Sequence, residues 1–561
     1  VGERRRGWGA SAMGNPEDDQ KRKRYDRQIR IWGKQGQERL EDAKVCLLGA
    51  GPTGSEALKN LVLGGVSAYT IVDGQKVSAR DLGNNFLVAE EHLGEPRAEC
   101  CSRLMQEFNE SVSGRYVAET PESLLDREPE FFRGFTLVLA TQLTAEYQVK
   151  LDSICRQHGV HVIFGRSYGL FGLVRISTKE HHVIESKPEN ELQVLRIRDP
   201  WPELAAYVER FDLASLDNMT YKHVPYVVLL IKAAKEGASR HNNGQPPTDR
   251  QLQRNFKDFL KGMQRPHPET EGFVDEGENF KEAVDNAHYV WSKNDGVPSD
   301  LKQYFESESC CNLTAESAPF WILVQALKRF VLEQQGAFPA LPLPGAIPDM
   351  TATTDLYLDL KRLYETKAEA DVARVASHVK GILQELKRDQ GEVSLEYIRL
   401  FCRNSNHVRV LKYISLEEEY KCFSQSRSSY LQSLLYSENT AENAFVYMLF
   451  HTADKFHARH GHFPGYFDQG MQEDIGRLKG IINATLSESG LSPVPICEEY
   501  IHEFCRCGAG EIHTVAAVVG GVLAEEAIKL LTRQFVPLQG TLVYNAIRST
   551  TEKIQDHQFW P

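Results

Sequence analysis

The stretch that decides the fold is residues 45–65, VCLLGAGPTGSEALKNLVLGG. An apolar run ends in Gly49, Gly51 and Gly54 at the spacing G-x-G-x-x-G, and helical periodicity follows. In such a turn the first glycine makes the tight bend, the second lets backbone approach phosphate oxygens, and the third lets helix and strand pack closely. The free N–H groups of the helix N-terminus then favour an anion. Asp73, closing the next apolar run AYTIVD (68–73), stands where a nucleotide fold places its acid. The residues alone leave two readings open, a phosphate cradle and a purely structural glycine turn.

Outward from this unit, strands are predicted at KVCLLG (44–49), AYTIVD (68–73), YVAET (116–120), TLVLAT (136–141), VHVIFGR (160–166) and LVRIS (173–177). Their alternation with helical patterns predicts an α/β, Rossmann-like, doubly wound parallel sheet. After about residue 180 the pattern becomes helical, with VPYVVLLIKAAKEG, FWILVQALKRFVLEQ and a long helix over 355–386. There Leu356, Leu360, Leu363, Val372, Val375, Val379, Ile382 and Leu386 recur three and four apart, as a packing stripe does. The proline-rich AFPALPLPGAIPDM (337–350), with Pro339, Pro342, Pro344 and Pro348, reads as a connector outside any helix. A small-residue helix, EIHTVAAVVGGVLAEEAIKLLTRQF, and a strand, GTLVYNA, mark a return to the α/β fold. Gly520 and Gly521 each cost that helix about 1 kcal/mol relative to alanine, so close packing is expected there. The expected organisation is a disordered tail at 1–23, the first part of the α/β domain at 24–180, a helical insert at 181–490 and the return at 491–561.

With 561 residues, 41% of them hydrophobic, the chain can bury a full core, by length about three to four domains or one with a large insert. A net charge of −12 speaks against nucleic-acid binding, and no apolar run approaches a membrane span. The scattered cysteines, 11 in number, suit a reducing compartment. The first twelve residues, ahead of Met13, read as a tail or as upstream read-through, and KRKR (21–24) as a solvated charge run.

Several segments carry a specific resemblance. RYDRQIRIWG (24–33), GPTGSEALKNLVLGG, DLGNNF and GEPRAE resemble the adenylation-fold subunits, of ThiF/MoeB type, of enzymes that activate ubiquitin-like modifiers. KEHHVIESKP (179–188), FWILVQALKRFV (320–331), IPDM (347–350), EDIGRLK (473–479) and IHEFCRCGAGEIHTVAA (501–517) narrow it to the regulatory subunits of the NEDD/RUB-modifier activating enzymes, nearest to the plant, auxin-resistance-type members. The likeness covers roughly residues 24–561.

Catalytic members of that family carry two acids after the second strand, an arginine, a lysine and a metal-binding aspartate. The resemblance places Asp73 at the first acid, Gln75 at the second, Asn84 at the arginine, Arg97 at the lysine and Gln142 at the aspartate. A neutral amide is a poor ligand for Mg²⁺, and the cationic help for a developing phosphate charge is lost at Asn84. The resemblance therefore implies an inactive copy of the fold, with a degenerate pocket of Gly49, Gly51, Gly54, Asp73, Asn84 and Gln142, no cofactor or metal of its own, and ATP and Mg²⁺ in a catalytic partner subunit. It also implies that Arg27 reaches the partner's ATP, as an arginine finger does. Taken by themselves, Arg27 and Arg30 would be surface ion-pair formers.

Cys310, Cys311, Cys402 and Cys422 lie in no stretch that resembles the family's active-site cysteine motif, and read as small buried hydrophobes. His457, His460 and His462 in HARHGHF and the lone CRC (505–507) lack a zinc-ligand pattern and read as a solvated loop and a non-ligating pair. The resemblance implies, as partners, the catalytic subunit in a heterodimer, the NEDD/RUB modifier and, transiently, a conjugating enzyme, in nucleus and cytoplasm. Two alternatives stay open: a self-sufficient adenylating enzyme or dinucleotide oxidoreductase, and a helical adaptor whose α/β fold only organises the insert.

Overall fold

The computed structural model describes residues 21–188, 193–241, 246–266, 277–292, 296–334, 340–421, 425–467, 469–491 and 497–555. Residues 1–20 of the expected tail, Pro339 and Cys422 lie outside them. Residues 21–23, counted in the expected tail, are helical, as is Arg24. Among the described residues no helix is long and apolar enough to cross a membrane.

The chain divides into two compact units, one of residues 1–183 with 410–561 and the other of residues 184–409. In the first, α1 (Asp26–Glu41) is kinked at Gly33, with φ of 70°. Then follow β1 (Lys44–Leu48), α2 (Pro52–Gly64), β2 (Ala68–Val72), α3 (Arg97–Phe108), β3 (Ser113–Val117), β4 (Leu137–Thr141), α4 (Ala145–His158), β5 (His161–Tyr168), β6 (Phe171–Ser177) and β7 (Glu180–Val183). The second unit holds, among other helices, α5 (Tyr226–His241), α6 (Pro319–Leu332) and α7 (Thr354–Glu385). The first unit resumes at Val410, within β8 (Arg409–Lys412), and holds, among other elements, α8 (Leu416–Lys421), α9 (Ala441–His460), α10 (Met471–Glu488), α11 (Glu498–Cys507), α12 (His513–Thr532), β9 (Thr541–Asn545) and β10 (Thr550–Ile554).

The main sheet has the order β10-β9-β6-β5-β4-β1-β2-β3. Strands β3, β2, β1, β4 and β5 run parallel, and β6, β9 and β10 continue antiparallel beyond β5. Sequence order reverses between β1 and β4, and ligands of doubly wound sheets bind at such switch points, beyond the carboxyl ends of the strands. β1 is buried along Val45–Leu48 and β4 throughout, as apolar runs covered on both faces must be. The outermost parallel strand is Ser113–Val117 rather than the expected 116–120. Its pairing with β2, Ala68 to Ser113 through Val72 to Val117, sets that register, although its own residues are mostly exposed.

In the second unit, α7 buries Leu360, Val372, Val375, Val379 and Ile382 of the expected stripe. Leu356 and Leu363 pack partly buried against the same core as Val227–Leu230 of α5. Residues 340–350 form no helix, in keeping with their prolines.

The expected insert boundary is corrected. Residues 410–490 belong to the unit that holds the sheet, so the return begins at Val410 and not at 491. The physical reason is α9, apolar all round from Ala444 to Phe450, which together with α10 buries its side chains against Tyr168, Phe171 and Val543 of the sheet. Two buried ion pairs tie this block down, Arg166 to Asp454 at 2.7 Å and Arg175 to Glu419 at 2.8 Å.

Candidate functional site

The glycine turn lies at the switch point, between β1 and α2. Gly49 has φ of +87°, which only glycine adopts without strain, and its amide donates to the Val72 carbonyl at 3.0 Å. The Thr141 hydroxyl, at the end of β4, donates to the Gly49 carbonyl at 2.9 Å. A Cβ on Gly54 would overlap that same carbonyl oxygen, so the third glycine sets how closely α2 packs on β1. Pro52 starts the helix where a missing N–H costs nothing, and Gly65 ends it in the left-handed conformation, with φ of 87°.

The second glycine faces an occupant that the sequence reading missed. A Cβ on Gly51 would come within 2.6 Å of Glu511 Oε1, from the loop between α11 and α12. Glu511 Oε2 accepts hydrogen bonds from the Thr53 amide at 3.2 Å, the Thr53 hydroxyl at 2.5 Å and the Ser167 hydroxyl at 3.2 Å. The chain's own carboxylate thus sits at the N-terminus of α2. The available signal was the acid in GAGEIH, but nothing local says that it meets a turn 458 residues away.

Asp73 is equally engaged. Its Oδ2 accepts from the Ala50 amide at 2.7 Å and from Arg97 Nε and Nη2 at 3.0 and 2.8 Å, while Oδ1 accepts from the Gln75 amide at 2.7 Å. Arg97 also donates through Nη1 to Asp81 at 2.8 Å. Burial opposes the charge on Asp81, but hydrogen bonds from Ser78 and Arg97 outweigh it and hold its pKa below the usual carboxylate range. Asp81 is the second residue here that sequence reasoning missed; it is a charge partner for the arginine at the lysine position.

The remaining pocket positions are hydrogen-bonded as well. Asn84 Nδ2 donates to the Glu511 carbonyl at 2.8 Å, and Gln142, at φ of 56°, donates through Nε2 to the Ser167 carbonyl at 2.6 Å. The structure therefore brings Gly49, Gly51, Gly54, Asp73, Asn84 and Gln142 together around one turn. Arg27 is in α1, exposed, and with no ion pair among the described residues. Arg30, by contrast, pairs with Asp26 at 3.0 Å.

Burial pushes the Cys310 thiol up to about 11 and the Cys402 thiol up to about 12, away from the thiolate a nucleophile needs. Cys311 is exposed. Among the described residues no group of three or more His, Cys, Asp or Glu is placed to hold a metal. His457 and His460 are in α9 and not in a loop, against Phe463 at 4.6 Å and Phe456 at 4.5 Å between ring centroids. Of the paired glycines in α12, Gly520 is in close contact with Glu56 and the backbone of α2, as expected, whereas a Cβ on Gly521 would meet nothing within 4 Å.

Residues 25–559 match the ThiF family, and the chain belongs to it. It is 43% identical over 525 residues to the NEDD8-activating enzyme E1 regulatory subunit AXR1 of Arabidopsis thaliana, an alignment that covers 93% of this chain and 94% of that one. The subunit of the same description from Xenopus laevis is 40% identical over 536 residues, 95% of this chain and 98% of that one. The one from Saccharomyces cerevisiae is 28% identical over 538 residues, 94% and 98% of the two chains. Within the ThiF family the chain therefore groups with the NEDD8-activating enzyme E1 regulatory subunits.

Proposed function

We propose that this chain is the non-catalytic half of a heterodimeric NEDD/RUB-activating enzyme. Its catalytic partner binds ATP and Mg²⁺, adenylates the modifier, carries it as a thioester and hands it to a conjugating enzyme, in nucleus and cytoplasm. What supports this is that the polar groups of the chain's own pocket are already committed to one another. Asp73 is held by Arg97, and the glycine turn is filled by Glu511. Gln142 offers an amide where a metal would need a carboxylate.

The exposed face of α1 suits a partner. Arg27 and Ile31, four residues apart, lie on one side of the helix, and Ile31 is 57% exposed. Gln28 Nε2 donates to the carbonyl of exposed Leu63 on α2, and one turn back Lys59 lies over exposed Phe86, itself against Phe108. A run of large apolar side chains of this kind marks an interaction surface. We assign it to the catalytic subunit, with Arg27 at its edge.

The direct test is thioester formation on the modifier-activating complex with ATP. This chain alone is expected to form neither adenylate nor thioester, and the catalytic subunit is expected to need it. Adenylate formed by this chain in isolation would establish the self-sufficient enzyme instead.

A further inference from the structure

We propose that the Glu511 carboxylate is the resident anion of the glycine cradle, a ligand that the chain supplies to itself and that keeps polyphosphate out. This rests on the cradle geometry alone and not on any role of Arg27.

The chemistry of the position is that of an oxyanion site. α2 has no side-chain cap at its N-terminus, so its first N–H groups need an acceptor, and an anion is favoured there. Glu511 Oε2 takes the Thr53 amide and both buried hydroxyls, those of Thr53 and Ser167. Oε1 lies against Gly51, using the room that the absent side chain leaves. A phosphate oxygen placed in this turn would use the same donors and the same space. The two occupants are mutually exclusive.

The carboxylate is held in place by backbone on several sides. The Gly169 amide donates to the Gly510 carbonyl at 2.8 Å, and Gly169 forms an isolated parallel bridge with Glu511. Asn84 Nδ2 donates to the Glu511 carbonyl, so the residue at the expected arginine position now supports the loop. Ala509 is left-handed, with φ of 62°, a conformation that costs a non-glycine residue about 1–2 kcal/mol and is sustained here by the surrounding contacts. Two residues beyond Glu511, α12 begins, and its Gly520 packs directly on α2. The plug and the cradle are thereby fixed on two helices in close contact. A tethered ligand of this kind competes at an effective concentration that free phosphate compounds do not match.

The test uses the purified full chain and sodium tripolyphosphate, a probe with no nucleoside. Binding is measured by calorimetry for wild type, Glu511→Ala and Glu511→Gln, and for Glu511→Ala combined with Gly51→Val. Glu511→Ala is expected to bind at least tenfold more tightly than wild type, and Gly51→Val to abolish the gain by refilling the cradle. Should the alanine variant not fold, Glu511→Gln, which keeps the shape of the loop and removes the charge, is expected to show a smaller gain. Equal binding by wild type and the Glu511 variant that folds, whether strong or absent, would overturn the proposal. So would a gain that persists with Gly51→Val, because the anion would then be bound elsewhere.

Discussion

Arg166→Met tests how the block of residues 410–490 is held to the sheet. Arg166 on β5 and Asp454 on α9 are only 5% and 4% exposed, and Arg166 Nη1 donates to both Asp454 oxygens at 2.7 and 2.8 Å. The guanidinium also lies over Phe450 and Phe463, 5.3 and 5.6 Å from the ring centroids. Methionine keeps the length and apolar bulk but leaves the carboxylate buried without its cation. Removing one partner of a buried pair costs about 3–5 kcal/mol. At about 2 °C per kcal/mol for a unit of this size, that is a fall of roughly 6–10 °C in melting temperature at pH 7.5.

The pH dependence fixes the cause. Burial raises the Asp454 pKa above its ordinary value, and Arg166 only partly offsets this. A carboxyl whose folded pKa is raised binds more protons in the native state, so stability falls as pH rises from the unfolded towards the folded value. Without Arg166 the folded pKa moves further up, and lowering the pH from 7.5 to 5.5 should recover part of the loss. Arg166→Met with Asp454→Leu should melt near wild type at both pH values, since an apolar pair removes the stranded charge. Differential scanning fluorimetry of the full chain reads all of these. A single variant that melts within about 1 °C of wild type, or a loss independent of pH, would show that the Arg166–Asp454 pair does not hold the block to the sheet.

Two further outcomes are expected. Gly54→Ala forces a Cβ onto the Gly49 carbonyl, and overpacking of this kind costs about 1–3 kcal/mol or more, visible as a lower urea midpoint. Ile31→Glu with Leu63→Glu, both at exposed positions, should leave the melting temperature within about 2 °C of wild type. The same variant should weaken co-purification with the catalytic subunit at least tenfold, and undiminished recovery would remove that face from the interface.

The first half of the α/β fold was readable because its signals are local. Lys44–Leu48, the turn Gly49–Gly54 and the helix from Pro52 each follow from apolar runs and turn chemistry within a few residues. What could not be read depends on distance along the chain. No helix is predicted over Ala441–His460, and nothing local there says that its neighbours are Tyr168 and Phe171 rather than the insert, so the expected boundary falls too late. Strand β10, TTEKI, has mostly polar residues at a sheet edge and shows no alternation to find. The resemblance points to Asn84 and Gln142 as members of one pocket, and both lie around the glycine turn, bonded to the Glu511 and Ser167 carbonyls. The pocket's self-satisfaction was not legible, because the Arg97 bond to Asp81 and the Glu511 bonds to Thr53 and Ser167 exist only once the sheet has folded.

The measurement that bears most directly on the proposed role is the rate of ATP-dependent thioester formation on the catalytic subunit, assembled with wild-type chain or with Arg27→Ala. Arg27 is exposed and without an ion pair among the described residues, so its replacement should leave folding and assembly intact. Arginines supplied in trans contribute about 10³–10⁵ to phosphoryl-transfer rates, and even a part of that contribution would show as a fall of at least tenfold. A complex that assembles normally and loses that much activity is the predicted result; an assembled complex with an unchanged rate would contradict it.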